Sequence, residues 1–155
     1  MTAAIPNHQL TLILFLLLLV SGGLAIGYLT VPGAWYAQLA KPSFNPPAWV
    51  FAPVWTLLYV MIAVAGWSTF KRDRRSRQMN LWWAQLVLNF LWTPTFFAAH
   101  RIGLAFVVVL LLLTAILSFI AVSWREDHVA AWLFAPYAAW VGFASMLNAS
   151  ILVLN

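Results

Sequence analysis

The sequence predicts an all-α integral membrane protein: a five-transmembrane-helix bundle, one domain over residues 1–155, with a long first loop acting as a lid. Three observations predict it. The hydrophobic fraction is 65% and the charged fraction 7%, where a soluble domain carries roughly 25% charged residues. Five apolar runs, at about 10–29, 49–70, 81–99, 102–124 and 129–154, contain no Asp, Glu, Lys or Arg. Each is close to the roughly 20 residues that an α-helix needs to cross the hydrocarbon core. The connections after the second, third and fourth runs are short and polar. A soluble chain of 155 residues could not bury so much apolar surface, so the solvent for most of it is lipid.

The first run reads as a retained helix. No Lys or Arg precedes it, and apolar sequence resumes at Ile26 after the small residues Ser21, Gly22 and Gly23, which argues against a cleaved signal peptide. Gly23 and Gly27 form a G-x-x-x-G pair, a spacing that lets helices approach closely, within the bundle or between protomers. The first connection, about 30–48, is long and aromatic: it holds Pro32, Gly33, Trp35, Tyr36, Lys41, Pro42, Pro46 and Pro47. Loops of that length in an economical protein usually carry function. Pro47 suits the start of the second helix, because its missing N–H removes nothing there. In the second run Trp55 and Tyr59 are four apart and share a face.

The second connection, 71–80, is basic, with Lys71, Arg72, Arg74, Arg75 and Arg77. In the third run Gln85, Asn89, Trp92 or Thr93, and Phe96 recur at helical spacing. His100 and Arg101 alone separate the third and fourth runs, which makes those helices antiparallel neighbours. Arg125, Glu126, Asp127 and His128 join the fourth to the fifth, where Tyr137, Trp140, Ala144 and Asn148 again share a face. Six Lys or Arg lie on the side of the N-terminus (Lys71, Arg72, Arg74, Arg75, Arg77, Arg125) against Lys41 and Arg101 on the other. In a plasma membrane that bias puts the N-terminus in the cytoplasm and the C-terminus outside.

Several chemistries are excluded. With no cysteine there is no disulfide, thiolate metal site or Cys nucleophile. Asp73, Glu126 and Asp127 are the only carboxylates and all lie in loops at one face, so no buried pair exists for general acid–base work. His8 and His128 lie on one side and His100 on the other, so they form no metal site, and no cofactor is expected. No run carries an ionisable residue of the kind an ion-driven pump places within the membrane. The cations cluster in one loop as a topology signal, not as a nucleic-acid-binding stripe.

Aromatic chemistry remains. Of ten tryptophans, Trp49, Trp67, Trp82, Trp83, Trp124 and Trp132 fall where runs meet water and read as an interfacial belt. Trp55, Trp92 and Trp140 lie deeper. Polar groups facing lipid are costly, so the three stripes should face inward. Singly, Gln85, Asn89 and Asn148 would serve equally to bond neighbouring helices. Together, beneath an aromatic loop, the stripes suit a mostly apolar pocket with a few placed polar groups, and so an apolar, aromatic ligand.

Trp35-Tyr36, Lys41-Pro42, Asn45-Pro46-Pro47, Trp49-Val50-Phe51, Val54-Trp55-Thr56 and Tyr59 resemble the translocator protein family. The same family is called tryptophan-rich sensory protein, TspO/MBR or peripheral benzodiazepine receptor. The match continues through Gln85, Leu88-Asn89, Trp92, Pro94 and Phe96-Phe97, and again through Pro136-Tyr137, Trp140, Phe143-Ala144 and Leu147-Asn148. The resemblance implies a five-helix bundle that forms a homodimer and binds porphyrins and other haem-type tetrapyrroles, sterols, and isoquinoline- or benzodiazepine-type ligands. It places the ligand site on Tyr36, Pro46, Trp55, Thr93, Phe96, Trp140 and Ala144. Some members carry Asn or Pro where Thr93 stands. The leading function it implies is a membrane receptor or sensor of tetrapyrroles that also transports them. The alternative is an enzyme degrading protoporphyrin by light-dependent oxidation, with Trp55 and Trp140 as the candidate catalytic residues. A third class is a passive transporter of hydrophobic metabolites. In animal members the sterol stretch follows Leu-Asn with a Tyr and a basic residue; here Ala149, Ser150, Ile151, Leu152 and Val153 follow Asn148, which argues against sterol binding by that route.

Overall fold

A computed structural model describes residues 7–155. The described chain is helical and its connections are turns and loops. The elements are α1 (His8–Leu29), α2 (Ala34–Gln38), α3 (Ala48–Arg72), α4 (Arg77–Thr93) continuing into a π-turn (Pro94–Ala98), α5 (Ile102–Glu126) and α6 (His128–Leu154). Helices α1, α3, α5 and α6 are each long and apolar enough to cross a membrane, and the protein is a multi-pass integral membrane protein. Helix α4 is shorter, at 17 residues.

The run at 81–99 differs from the single helix that its hydropathy predicts. The helix starts earlier, inside the basic loop, because the Ser76 hydroxyl caps it by accepting the Met79 N–H at 3.1 Å. It changes winding at Pro94, which has no N–H and whose ring crowds the preceding turn. The chain relaxes into a π-turn closed by the Ala99 N–H on the Pro94 carbonyl at 2.9 Å. His100, at φ 55° in the left-handed region, ends the element. Three residues, Ala99, His100 and Arg101, make the turn into α5.

The long helices pack in a ring: α1 on α3, α3 on α6, α6 on α5, α5 on α4, with α4 closing on α1 and α3. Large apolar residues line its outside, among them Leu14, Leu17, Leu57, Val107 and Leu117, as a lipid-facing surface requires. The G-x-x-x-G pair divides. A Cβ on Gly23 would lie 2.2 Å from the Tyr59 ring, so Gly23 serves packing inside the ring, whereas Gly27 has open space.

Trp82 corrects the belt reading. It is wholly buried, and its indole N–H donates to the Ile62 carbonyl at 2.9 Å. It reaches that carbonyl because Gly66, one turn along α3, has no side chain: a Cβ there would sit 2.3 Å from the indole. Gln78, Met79, Trp82, Gln85, Leu86 and Asn89 form the buried face of α4, and helical spacing puts Trp82 among them. Trp49 and Trp132, 75% and 64% exposed, are at the surface as a belt requires.

At the basic end a polar layer joins four helices. Asp127, the one residue between α5 and α6, caps α6 by accepting the Ala130 N–H at 3.1 Å. It also accepts the Ser68 hydroxyl of α3 at 2.7 Å and pairs with Arg72 at 3.6 Å. Gln78 of α4 donates to Ser123 of α5 beneath it. Burial pushes the Asp127 carboxyl up, but the Ser68 hydroxyl, the Ala130 and Val129 N–H groups and the Arg72 guanidinium together hold it below its ordinary value. Asp127→Ala is expected to lose about 1–3 kcal/mol, a helix cap plus hydrogen bonds to a charged group. A lowered folded-state pKa means that the charge-dependent share is complete above about pH 4 and fades as the pH falls through the folded value. Unfolding of both proteins in detergent from neutral to acid pH should therefore show the gap between them narrowing below that point.

Candidate ligand-binding site

Helix α3 carries Phe51, Trp55 and Tyr59 at intervals of four, one stripe along its inner side. Helix α6 answers with Tyr137, Trp140 and Phe143. Trp55 meets Tyr137 edge-on at 6.3 Å, Phe51 meets Trp140 at 5.7 Å, and Trp140 leans on Phe143 at 5.7 Å. Tyr59 lies against Trp55 at 5.3 Å.

Helix α4 faces α6 across the ring, and the two are bridged by side chains. Tyr59 donates its hydroxyl to Asn89 Oδ1 at 3.2 Å. Asn89 Nδ2 donates to the Tyr137 hydroxyl at 2.8 Å, which donates in turn to Gln85 Oε1 at 3.0 Å. The chain is directional and ends on a donor: Gln85 Nε2 is buried without a partner. Higher in the ring the Trp92 indole N–H donates to Asn148 Oδ1 at 3.2 Å, and Asn148 Nδ2 donates to the Ile102 carbonyl at 3.1 Å. Gln85, Asn89 and Asn148 thus do bond neighbouring helices, and they do so beside the aromatic stripes.

The first loop is docked over one end of the ring. Within α2, Trp35 stacks on His100 at 4.2 Å and meets Phe96 edge-on at 5.8 Å. Tyr36 abuts Phe97 at 5.2 Å and Phe96 at 6.2 Å. The Lys41 ammonium lies 4.6 Å above the Tyr36 ring and donates to the Leu39 carbonyl at 3.1 Å. Two hydrogen bonds of 3.0 Å tie the Ala40 backbone to the Asn155 side chain. Phe44 reaches Phe143 at 6.2 Å. Burial pushes the Tyr36 phenol above its ordinary pKa, offset in part by its hydrogen bond to Asn45.

The residues singled out by resemblance fall in two groups. Tyr36 and Phe96 belong to an upper cluster with Leu147 and Ile151; Trp55 and Trp140 border the main core. Trp92 packs against both and is the bridge. Pro46, Thr93 and Ala144 are half-buried. Phe51 and Phe143, which the resemblance does not place in the ligand site, both pack on Trp140. Phe51 was legible four residues before Trp55, while Asn155 carried no sequence signal. Among the described residues no group of His, Asp or Glu could hold a metal ion.

The arrangement defines a class: a multi-pass membrane protein whose helices enclose indole, phenol and amide groups under a docked aromatic loop. The chain belongs to the TspO/MBR family, whose model matches residues 14–154. It is 36% identical over 135 residues to Protein CrtK of Rhodobacter capsulatus, covering 84% of each chain. It is 39% identical over 120 residues to the translocator protein of Ovis aries, covering 74% of this chain and 70% of that one. To the tryptophan-rich sensory protein of Cereibacter sphaeroides it is 35% identical over 129 residues, covering 83% and 82%.

Proposed function

We propose that the chain binds porphyrins between α3, α4 and α6, as a membrane receptor or sensor that also moves them. The observation that carries this reading is the aromatic and amide surface of those helices beneath the docked first loop. A planar macrocycle entering between α3 and α6 would exchange the Phe51–Trp140 and Trp55–Tyr137 contacts for ring–macrocycle stacking, and Tyr36, Pro46, Thr93, Phe96 and Ala144 would line its upper rim. Isoquinoline- and benzodiazepine-type ligands would compete there. The relatives' printed names, translocator and sensory protein, agree with this reading.

The proposal includes a single domain with five spans, α4 and its π-turn making the fifth: 17 and 5 residues run without a break, and about 20 suffice. The first loop acts as a lid that releases at the Trp35–His100 stack and the Ala40–Asn155 tie. The protein is a homodimer, with the open side of Gly27 available for the contact.

Fluorescence titration of the purified protein with protoporphyrin, in darkness, tests binding. Saturable tryptophan quenching reversed by an isoquinoline competitor is expected; quenching that rises without saturating would overturn the reading. Flux of porphyrin across proteoliposomes distinguishes a carrier from a receptor. Reporter fusions should put the C-terminus and the first loop outside the cytoplasm, given six basic residues against two. A cytoplasmic C-terminus would contradict that topology.

A further inference from the structure

The candidate site uses none of the basic residues of the second connection, and the end of the ring that carries them has a cleft of its own. The Trp67 indole N–H donates to the His8 carbonyl at 2.9 Å, tying the start of α1 to the end of α3. Beside this tie lies a cleft of about 160 Å³ lined by His8, Thr11, Phe70, Lys71 and Arg74. Its two cations are held by aromatic rings: Lys71 Nζ lies 3.8 Å above Trp67, and the Arg74 guanidinium 4.7 Å above Phe70.

No carboxylate answers them. Among the described residues neither Lys71 nor Arg74 forms an ion pair: the pair at this end is Arg72–Asp127, and the Asp73 carboxylate accepts the Arg75 backbone N–H at 2.9 Å. Residues 1–6 contain no Asp or Glu. The N-terminal end of α1 adds its own partial positive charge. An unanswered pair of cations beside a cleft calls for an anion.

The position says which kind. The cleft opens at the level of Trp67 and Phe70, where indole and phenyl rings mark the water boundary of a span. From Thr11, helical spacing runs down α1 to Leu14 and Leu18, both exposed. A ligand with a phosphate at the cleft and a hydrocarbon tail along that stripe satisfies both surfaces. We propose that this cleft is a binding site for the phosphate headgroup of an anionic phospholipid in the leaflet that faces the basic loop. A zwitterionic headgroup would bring its own cation against Lys71 and Arg74 with no carboxylate in the cleft lining to receive it.

The test uses full-length protein in detergent micelles. Phosphatidylglycerol, phosphatidylcholine or inorganic phosphate is added separately, and the half-maximal concentration for thermal stabilisation is read. Phosphatidylglycerol should stabilise saturably and the other two should not. Each surface cation contributes about fivefold to anionic-lipid affinity, so Lys71→Gln with Arg74→Gln should raise the half-maximal concentration about 25-fold, and Lys71→Gln alone about fivefold. Arg75→Gln with Arg77→Gln removes the same charge from outside the cleft lining, so it weakens only the diffuse attraction to the anionic lipid and should raise the half-maximal concentration clearly less than the Lys71–Arg74 double variant does. Equal losses in the two double variants would mean a diffuse surface field and overturn the site. Equal stabilisation by inorganic phosphate would overturn the lipid as occupant, and equal stabilisation by phosphatidylcholine would overturn charge recognition. The single Lys71 variant decides the matter if the double variant does not fold.

Discussion

Replacing Trp82 with alanine is expected to destabilise the folded protein by about 3–5 kcal/mol, the range for removing a buried aromatic side chain. The substitution deletes the largest wholly buried side chain and takes away its edge contact with Phe15 at 5.0 Å. Trp82→Phe keeps a ring, loses the 2.9 Å bond to Ile62, and should lose less. Gly66→Ala probes the same contact from the other side. The new methyl would enter the indole at 2.3 Å, and both walls are fixed, so about 1–3 kcal/mol is expected. The two substitutions should be coupled: in the Trp82→Ala background Gly66→Ala finds empty space, and its penalty should largely vanish. Gly27→Ala, which meets nothing within 4 Å inside the protomer, should not lower the stability of the monomer, and any loss it causes would come from the proposed contact between protomers. Unfolding of wild type, both single variants at Trp82, Gly66→Ala, the Trp82→Ala/Gly66→Ala double variant and Gly27→Ala in one detergent checks this. A Gly66→Ala penalty that is unchanged when Trp82 is absent would break the account of that contact.

Trp82 also shows what sequence could and could not reveal. By depth alone, a tryptophan near the start of an apolar run reads as an interfacial ring. By angle, Trp82 lies on the same face as Gln85 and Asn89, three and seven residues on, whose amides face inward. The apolar runs were legible because lipid imposes a length and forbids charge. The inward turn of Gln85, Asn89, Tyr137 and Asn148 was legible because lipid makes an unpaired amide or phenol costly. Which partners they find was not. That Tyr137 stands between Asn89 and Gln85 depends on the relative rotation of α4 and α6, and spacing along one helix carries no information about that. The π-turn was half legible: Pro94 announces a break, but the winding that replaces the helix depends on how the chain reaches His100. The ties between the loop and Asn155 join residues 115 apart in sequence, beyond any local pattern.

Trp55 and Trp140 are expected to dominate porphyrin affinity through area. The two indoles sit on different helices, and each touches a ring of the facing helix, Tyr137 and Phe51 respectively. A macrocycle lodged there stacks on both. Replacing either tryptophan with alanine removes a large buried side chain from the contact, worth about 1.5–3 kcal/mol, or roughly 10- to 150-fold in affinity. Phenylalanine keeps one ring and most of the apolar area. An aromatic pair adds only about 0.5–1.5 kcal/mol beyond area, so each Phe variant should bind within about tenfold of wild type. Dark titration by porphyrin absorbance, with the Ala and Phe variants side by side, gives these ratios. The same samples under illumination separate binding from chemistry. If the indoles serve only as stacking surfaces, the ligand spectrum decays equally in wild type and in the Phe variants at equal bound fraction. Decay that slows with each Phe substitution would make the tryptophans electron donors to the excited ligand, since phenylalanine is far harder to oxidise. Ala and Phe variants that bind alike would show that ring area between α3 and α6 does not hold the ligand, and would move the site to the upper cluster around Tyr36 and Phe96.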